Sequence, residues 1–489
     1  MLNKPICVSL SALLLPTLIA GCLGGSESAS GPNTSTRTTS SQAVDGVNIS
    51  ATPQGRCGPG SRQETGMQGR VSQADHDAGL AAVGFTCNTE LVGSFSPETV
   101  IGTVGGFKVE RYRDKAGRDC AYYDSTLLYP TNILDREAGV NVFDMSDPTQ
   151  PVRTARLLTP AMLSPHESLV LSQEGGVLAA VLGNPAFGPG FVDIYDVSED
   201  CRTPVLKSST PLGVFGHESG LSPDGKTFYS ASPSTSTLVA LDISNPSIPR
   251  PLWSGQYSSH GLSISADGNR AYVASLGDPS GMIVLDVSEI QARKADPQVR
   301  EISTVSWDTV SIPQNAIPVT IKGKPYVIEV DEYATGGGGL IVSANGPLVG
   351  AARVIDISDE SKPAVVSNLR LAVHNLANRE EIANDPGAQN ATGGYAGHYC
   401  NVPTRVDPTI VACSMILSGL RIFDIRNPER PVEVAYFNAP VKDRMLTQPA
   451  PASNWAMSSP AFVPERKEIW YTDGYQGFFV VKVTNNAWK

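Results

Sequence analysis

The segment Leu238-Val-Ala-Leu-Asp242-Ile-Ser-Asn-Pro246 carries a pattern that recurs along this chain of 489 residues. In each copy an apolar run ends in Asp, and an apolar residue and a turn-forming residue follow it. The other copies begin at Val140, Val192, Met282, Ala352, Leu420 and, in degenerate form, Phe478. Seven copies at intervals of 44 to 70 residues indicate a repeat architecture.

A second pattern precedes the first within each unit and is clearest in residues 217–229 and 260–273. There an Asp-Gly pair separates two short apolar runs, which is a hairpin signal because both residues tolerate tight turns. The run that follows the Asp motif, such as 251–257, adds a fourth strand. Four short strands in a unit of about 45 residues are typical of a β-propeller blade.

The ends of the repeat region predict how the ring closes. The seventh unit has three strand-like runs near 460–463, 468–472 and 478–483, and it lacks a fourth. An unassigned strand, Thr89–Phe95, precedes the first unit. We therefore expect an all-β, seven-bladed β-propeller in which this N-terminal strand completes the last blade.

The repeated Ile/Val-Asp-Ile/Val-Ser motif with a following Pro resembles the LVIVD repeat of bacterial exported and lipid-anchored β-propeller proteins. The resemblance covers the chain from roughly Cys87 onward. It implies a propeller that serves as a scaffold or binding surface, commonly with no assigned activity.

The first residues predict an export signal and a lipid anchor. Lys4 precedes an apolar stretch at 8–20, and Leu18-Ile-Ala-Gly-Cys22 resembles a bacterial lipobox. Cys22 would then carry the lipid, a palmitate-type acyl anchor, and the alternative is an ordinary secretory signal cleaved nearby. Leu23 after Cys22 favours the outer membrane if the source has a double membrane.

We expect four regions along the chain. They are a signal peptide at 1–21, a flexible Ser/Thr/Gly-rich tether at 22–56, an N-terminal extension packing on the propeller at 57–86, and the propeller at 87–489. The propeller would thus be held at the cell envelope, outside the cytoplasm. The formal net charge of −11 argues against nucleic acid as a partner.

Six cysteines remain in an exported chain, enough for three disulfides. Cys400 and Cys413 flank a turn-rich connection between two strand-like runs, so we expect a cross-strand bridge between them. The other four leave three connectivities open, and they are Cys57, Cys87, Cys120 and Cys201.

Four of the six histidines stand where a blade's innermost strand begins. They are His166, His217, His260 and His398. The last three precede the Asp of their own motif by 25 or 26 residues, so their positions are equivalent and should form a ring around the channel. With Glu167 and Glu218 beside two of them, these imidazoles are candidate ligands for copper or zinc.

A structural role competes with this interpretation, because repeated histidines also hold adjacent strands by hydrogen bonds. Blade 5 has Asn315 at the equivalent position, so the ring is incomplete. Further candidates to face a ligand are Asn315 itself, Glu329, Asp331, Glu332 and Trp455. The alternatives are solvated loop charge for the three acids and packing between blades for Trp455.

The sequence favours a binding or scaffolding module for a protein, a polymer or a small molecule, presented on a face decorated by insertions near 129–138, 333–348 and 374–395. The alternative is a metal-dependent enzyme, such as an oxidase or a hydrolase, with a His-lined copper or zinc site in the channel. No nucleophile elbow or phosphate loop is present in the sequence.

Overall fold

The architecture is that of a computed structural model, which describes the chain in nine segments. These are residues 42–43, 50–97, 104–125, 137–183, 190–214, 216–335, 348–389, 393–441 and 453–489. The predicted signal peptide and Cys22 lie outside the described residues. Within them, no helix is both long and apolar enough to span a membrane.

The described strands form seven antiparallel four-stranded sheets arranged as the blades of a propeller, which confirms the predicted fold. Blades 1 to 3 follow the chain directly. Blade 1 has strands Val109–Arg113, Asp119–Asp124, Val140–Asp144 and Val152–Leu157; blade 2 has Val170–Ser172, Val177–Val181, Gly190–Asp196 and Val205–Gly213; blade 3 has Ser219–Leu221, Thr227–Ser232, Thr237–Asp242 and Arg250–Gln256.

Blades 4 to 7 continue around the ring. Blade 4 has strands Ser259–Ile264, Arg270–Ser275, Gly281–Asp286 and Arg300–Ser306; blade 5 has Ile312–Ile321, Lys324–Glu332, Ala352–Asp356 and Ala364–Leu369; blade 6 has Tyr399–Asn401, Ile410–Ser414, Leu420–Asp424 and Val432–Asn438; blade 7 has Ala461–Val463, Glu468–Asp473, Gly477–Val483 and Thr89–Phe95.

The remaining elements are short. A strand at Gln42–Ala43 extends blade 4, a strand at Phe85–Cys87 extends blade 6, and Ala334–Thr335 pairs with Leu348–Val349. The described α-helices are Gln73–Asp77, Pro160–Leu163, Ser288–Gln291 and Arg379–Ile382. Single 3-10 turns lie at Ala372–His374, Leu376–Asn378 and Pro464–Arg466.

The repeated Asp ends the third strand of blades 1 to 6 and forms the turn that follows. In blade 3 the Asp242 carboxylate accepts the Ser244 backbone N–H at 3.0 Å and its hydroxyl at 2.6 Å. The carboxylate therefore accepts from a backbone N–H of the turn that no longer has a partner in the sheet. A β-bulge recurs in all seven pairings of a third strand with a fourth strand. It lies just before the repeated Asp in blades 1 to 6 and at the equivalent position in blade 7.

The ring closes as the sequence predicts. Thr89–Phe95 pairs antiparallel with Gly477–Val483, from Thr89 opposite Val483 to Phe95 opposite Phe478. The last blade therefore takes its outermost strand from the other end of the chain, and the first and last units of the ring are joined by backbone hydrogen bonds.

The segment before the ring is held against it. The predicted tether ends in residues that contact blades 5 and 6, because the Thr52 hydroxyl donates to the Asn368 carbonyl at 3.0 Å and the Gly55 N–H donates to Glu433 at 2.7 Å. Residues 50–56 therefore belong to the ordered body. In the extension that follows, the Glu64 carboxylate pairs with the buried Arg421 guanidinium.

Three disulfides join the six cysteines. The predicted Cys400–Cys413 bridge is confirmed across neighbouring strands of blade 6. Of the pairings that the sequence leaves open, the structure has Cys57–Cys87, within the extension and its strand, and Cys120–Cys201, between blades 1 and 2.

We expect the closing strand to control cooperative unfolding. Replacing Thr89–Phe95 with seven Gly and Ser residues should remove the pairing with Gly477–Val483 and lower the thermal midpoint by at least about 10 °C or abolish a single transition. Glu90→Ala, an exposed position in the same strand, should change the free energy of unfolding by no more than about 0.5 kcal/mol. A replacement variant that melts like the wild type would contradict the assigned closure.

We expect the motif carboxylate to make an acid-sensitive contribution to stability. Burial alone would raise the pKa of Asp242, but hydrogen bonds from Ser244 and the Arg293 guanidinium outweigh it and lower that pKa. Its contribution should be complete above the ordinary value near 3.8 and lost as pH falls through the lowered folded value. In urea unfolding near pH 6, the free energy of unfolding of Asp242→Asn should be about 1 kcal/mol lower than that of the wild type.

The difference between wild type and Asp242→Asn should shrink progressively as pH falls below 3.8 and through the lowered folded pKa, because the wild-type carboxylate then becomes protonated in the folded state as well as in the unfolded state. Asp296→Asn, at an exposed Asp outside the motif, is the matched control. A difference that stays constant or grows on acidification would contradict the prediction.

Candidate functional site

Six of the predicted side chains converge in the propeller channel from five different blades. They are His166 and Glu167 of blade 2, His217 of blade 3, His260 of blade 4, Glu332 of blade 5 and His398 of blade 6. Within the described residues, two compact groups have donor atoms that all lie within 4.8 Å of one another. One is His166, Glu167 and His217, and the other is Glu167, His260 and Glu332.

A turn at the entry to blade 2 aims two consecutive side chains at this centre. In an extended strand, neighbouring side chains point to opposite faces. His166 instead has a left-handed backbone with φ of +54°, and the Ser168 N–H closes the turn on the Pro165 carbonyl at 2.9 Å. The imidazole and the Glu167 carboxylate therefore converge, and an unusual backbone conformation of this kind is a feature of functional sites.

Glu332 reaches the centre from a different strand than the histidines. It ends the second strand of blade 5, and Tyr333 after it has φ of +46°. Its two oxygens lie 2.9 Å from His260 Nε2 and 3.0 Å from His398 Nε2. This carboxylate fills the gap in the ring that Asn315 leaves.

His398 has a fixed orientation. Its Nδ1 lies 2.6 Å from the Met457 carbonyl oxygen, so Nδ1 carries the proton and donates it there. Its backbone N–H donates to Ser414 at 3.0 Å. Nε2 therefore faces carboxylate oxygens of Glu332 at 3.0 Å and Glu167 at 3.4 Å. A backbone carbonyl on one ring nitrogen is the usual support of a metal-ligating histidine.

The centre contains more acceptor positions than its internal hydrogen bonds satisfy. His217 Nε2 and His260 Nε2 lie 3.0 Å apart, so only one of the two nitrogens can donate to the other. Glu167 Oε2 and His260 Nδ1 are buried and have no hydrogen-bonding partner. Buried polar atoms without partners are rare and costly, so these atoms are candidates to bind a cation.

The pKa values of two imidazoles are shifted in opposite directions from the ordinary value. Burial, reinforced by the neighbouring His260, holds the pKa of His217 well below its ordinary value, which keeps the ring neutral. Burial also acts against a charged His260, but the carboxylates of Glu332 and Glu167 outweigh it and raise the pKa of this ring. The carboxylates thus favour a positive charge at this point of the centre.

Aromatic rings pack around the imidazoles. The Phe107 ring lies edge-on to His166 with centroids 4.7 Å apart and lies 5.3 Å from His398. Tyr333 packs on His398 at 5.5 Å. These contacts fix the rings and exclude water from one side, while the His217 side chain keeps 15% exposure.

Glu218 lies apart from the donor groups. Its Oε1 accepts from Lys108 Nζ and from Asn315 Nδ2, each at 2.5 Å. A Cβ added to Gly261 would collide with this carboxylate, so the glycine makes room for it. Burial raises the pKa of Glu218 to about 7 although the Lys108 cation acts in the opposite direction. Lys108, Glu218 and Asn315 thus form a polar layer outside the two compact donor groups, and Glu218 and Asn315 line the adjacent cavity.

A cavity of about 520 Å³ begins at this polar layer and continues along the channel. Its walls are first strands of several blades, with Leu262 and Ile317 among the apolar residues and Glu110 and Arg405 among the charged ones. The layer therefore separates the cavity from the His and Glu centre.

The other predicted residues have structural partners. Glu329 and Asp331 are buried beside Arg353, which pairs with both, and Asp331 also accepts the Trp307 Nε1–H at 3.0 Å. The alternative that the blade 5 acids are solvated loop charge is wrong, because all three lie buried in one strand. Trp455 is 2% exposed and packs on Tyr475 with centroids 4.9 Å apart, so its ring contacts protein.

Sequence reasoning missed Lys108 and Phe107. They are consecutive residues at the entry to blade 1, where the sequence has neither a histidine nor a hairpin motif. The repeat spacing could not identify them, because Lys108 precedes Asp144 by 36 residues and the insertion near 129–138 lengthens blade 1.

Comparisons with known proteins agree with this architecture. The LVIVD-repeat family model matches residues 234–254, which contain the third strand of blade 3. No curated protein matches the chain. The fold is similar to a putative 6-phosphogluconolactonase from Bacteroides fragilis NCTC 9343, at 12% identity over 80% of this chain and 92% of that chain with a TM-score of 0.43. It is also similar to Kuenenia stuttgartiensis hydrazine synthase, at 14% identity over 79% and 97% with a TM-score of 0.47. Both similarities concern the fold alone.

We expect the polar layer to depend on its charge pair. Lys108→Met should lower the free energy of unfolding by about 1–3 kcal/mol near pH 7, because Glu218 loses its cation and must take up a proton to stay buried. The double variant Lys108→Met/Glu218→Gln should regain much of that loss, because the buried side chain then carries no ionisable group. Urea unfolding of the three proteins measures both values. A double variant no more stable than Lys108→Met would contradict the assigned pairing.

Proposed function

The chain is an LVIVD-repeat β-propeller, and we propose that it acts through a transition-metal centre in its channel, with copper or zinc as the metal. The ligands would come from the two donor groups that share Glu167. Imidazole nitrogen with carboxylate oxygen suits both metals.

The observation that carries this proposal is the orientation of His398. Its Nδ1–H donates to the Met457 carbonyl, which directs Nε2 at carboxylate oxygens of Glu332 and Glu167 at 3.0 and 3.4 Å. Two buried carboxylates that meet at one imidazole nitrogen require a compensating positive charge. A metal ion bound by the imidazole and the carboxylates would supply that charge.

A purely structural role for the histidines fits the centre less well. Histidines that hold strands would be expected to have both ring nitrogens hydrogen-bonded. Here His260 Nδ1 and Glu167 Oε2 are buried, without hydrogen-bonding partners and 3.7 Å apart. A metal ligand set explains these atoms together, whereas strand-holding hydrogen bonds explain neither.

Such a centre supports enzyme chemistry. A zinc ion would activate water for a hydrolase, and a copper ion would serve an oxidase. The partial exposure of His217 beside the buried His260 would give one side of the centre access to a small substrate.

Binding of a small molecule is a second candidate function, and the channel cavity favours it. Its volume of about 520 Å³ lies within the usual range of ligand pockets, and its walls combine apolar side chains with the charged Glu110 and Arg405. A ligand there would lie on the far side of the polar layer from the metal centre.

We also propose that the protein works outside the cytoplasm, anchored to the envelope membrane through Cys22. Three disulfides support export, because such bonds persist in oxidising compartments. Labelling of cells with a radioactive fatty acid would test the anchor, and Cys22→Ala should lose the label.

Metal analysis of the purified chain, prepared without a polyhistidine tag, tests the main proposal. After dialysis against zinc or copper, the wild type should retain at least one ion per chain. His217→Ala/His260→Ala should retain less than about a tenth of that amount, because two ligands are lost from the shared centre.

The control is His76→Ala, a histidine on the helix of the N-terminal extension, which should retain wild-type metal. Circular dichroism and the thermal midpoint establish whether each variant is folded. A wild type without bound metal, or a folded double variant that keeps it, would overturn the proposal.

A further inference from the structure

We infer that the channel centre is built for two metal ions bridged by the Glu167 carboxylate. This inference rests on the proposed metal centre and specifies how many ions it holds and which residues hold each. It follows from the way the donor atoms divide in space.

Glu167 presents its two oxygens to different partners. Oε2 lies 3.4 Å from His217 Nε2, and Oε1 lies 3.4 Å from His398 Nε2. A carboxylate that serves one ion directs one or both oxygens to the same point. Oε2 also lies 3.7 Å from His260 Nδ1, so this carboxylate contacts donors of both compact groups, which is the position of a bridging ligand.

The first ion would be held by His166, His217 and Glu167, whose donor atoms lie within 4.8 Å of one another. Three protein ligands leave an open position, as catalytic metal sites do. His217, whose side chain is 15% exposed, is also the only one of the six residues of the centre that is not buried. Water or a substrate would therefore bind this ion.

The second ion would be held by Glu167, His260 and Glu332, with His398 beside them. These four side chains are between 0% and 7% exposed. Because all four side chains are buried, this ion would be enclosed and would exchange slowly.

A single ion would leave part of the centre unexplained. His166 belongs to the first compact group and Glu332 to the second, and the groups share only Glu167. The donor atoms of the two groups do not all lie within 4.8 Å of one another, so an ion bound by one group does not reach every donor of the other. Two ions use all the donors, and pairs of this kind stabilise both the attacking and the leaving atoms in hydrolysis.

Zinc stoichiometry provides the first test. The full chain, stripped with a chelator and titrated with zinc, should bind two ions, and their release to excess chelator should have a fast and a slow phase. His166→Ala should bind one ion and lose the fast phase, because the open site loses a ligand. Glu332→Gln should also bind one ion and lose the slow phase.

Paramagnetic resonance of the wild type provides a second test that needs no variant. With two equivalents of copper(II), a carboxylate-bridged pair should be magnetically coupled and give less than about half the signal expected for two isolated ions. His76→Ala should behave like the wild type in both tests, since its imidazole lies outside the channel.

The results separate this inference from the proposal on which it rests. One zinc ion per wild-type chain, or two copper ions without coupling, would overturn the bridged pair and leave a metal centre in place. No bound metal in the wild type would overturn both. Two ions whose loss follows the predicted variants would support the assignment of each residue.

Discussion

The pairing of Thr89–Phe95 with Gly477–Val483 is the interaction on which the channel centre depends. It converts seven units in a row into a closed ring, and only a closed ring holds the first strands around one axis. Residues at equivalent positions then meet although the chain separates them widely. His217 and His260 are 43 residues apart in sequence, and their Nε2 atoms are 3.0 Å apart.

Charge compensation divides the channel into two chemically different layers. In the polar layer, the Lys108 cation neutralises Glu218, and Asn315 donates a further hydrogen bond to the same carboxylate. In the centre itself, the buried carboxylates of Glu167 and Glu332 face imidazoles, and no Lys or Arg ion pair to either is present among the described residues. Since buried charge requires compensation, the centre is completed by protons or by metal.

The repeat made the fold predictable, because the Asp turn and the Asp-Gly hairpin are local signals that recur. It also brought out His217, His260 and His398, whose equal spacing places them at one depth. Glu332 could be named as a candidate to face a ligand, but the sequence did not place it among the histidines. It ends the second strand of blade 5, whereas the repeat spacing aligns only residues at the start of first strands. Adjacency in sequence was misleading for Glu218. Its neighbour His217 faces the centre, but the next side chain along the backbone points away from it and pairs with Lys108.

The closing strand also has a consequence in time. Glu90 pairs with Lys482, so the strand leaves the ribosome about 390 residues before its partner exists. At roughly 5–20 residues per second, that is an interval of about 20–80 s in which the edges of the nascent array stay open. A chain with this topology benefits from being kept unfolded until synthesis ends. Translocation across a membrane before folding would supply that delay without a dedicated folding catalyst.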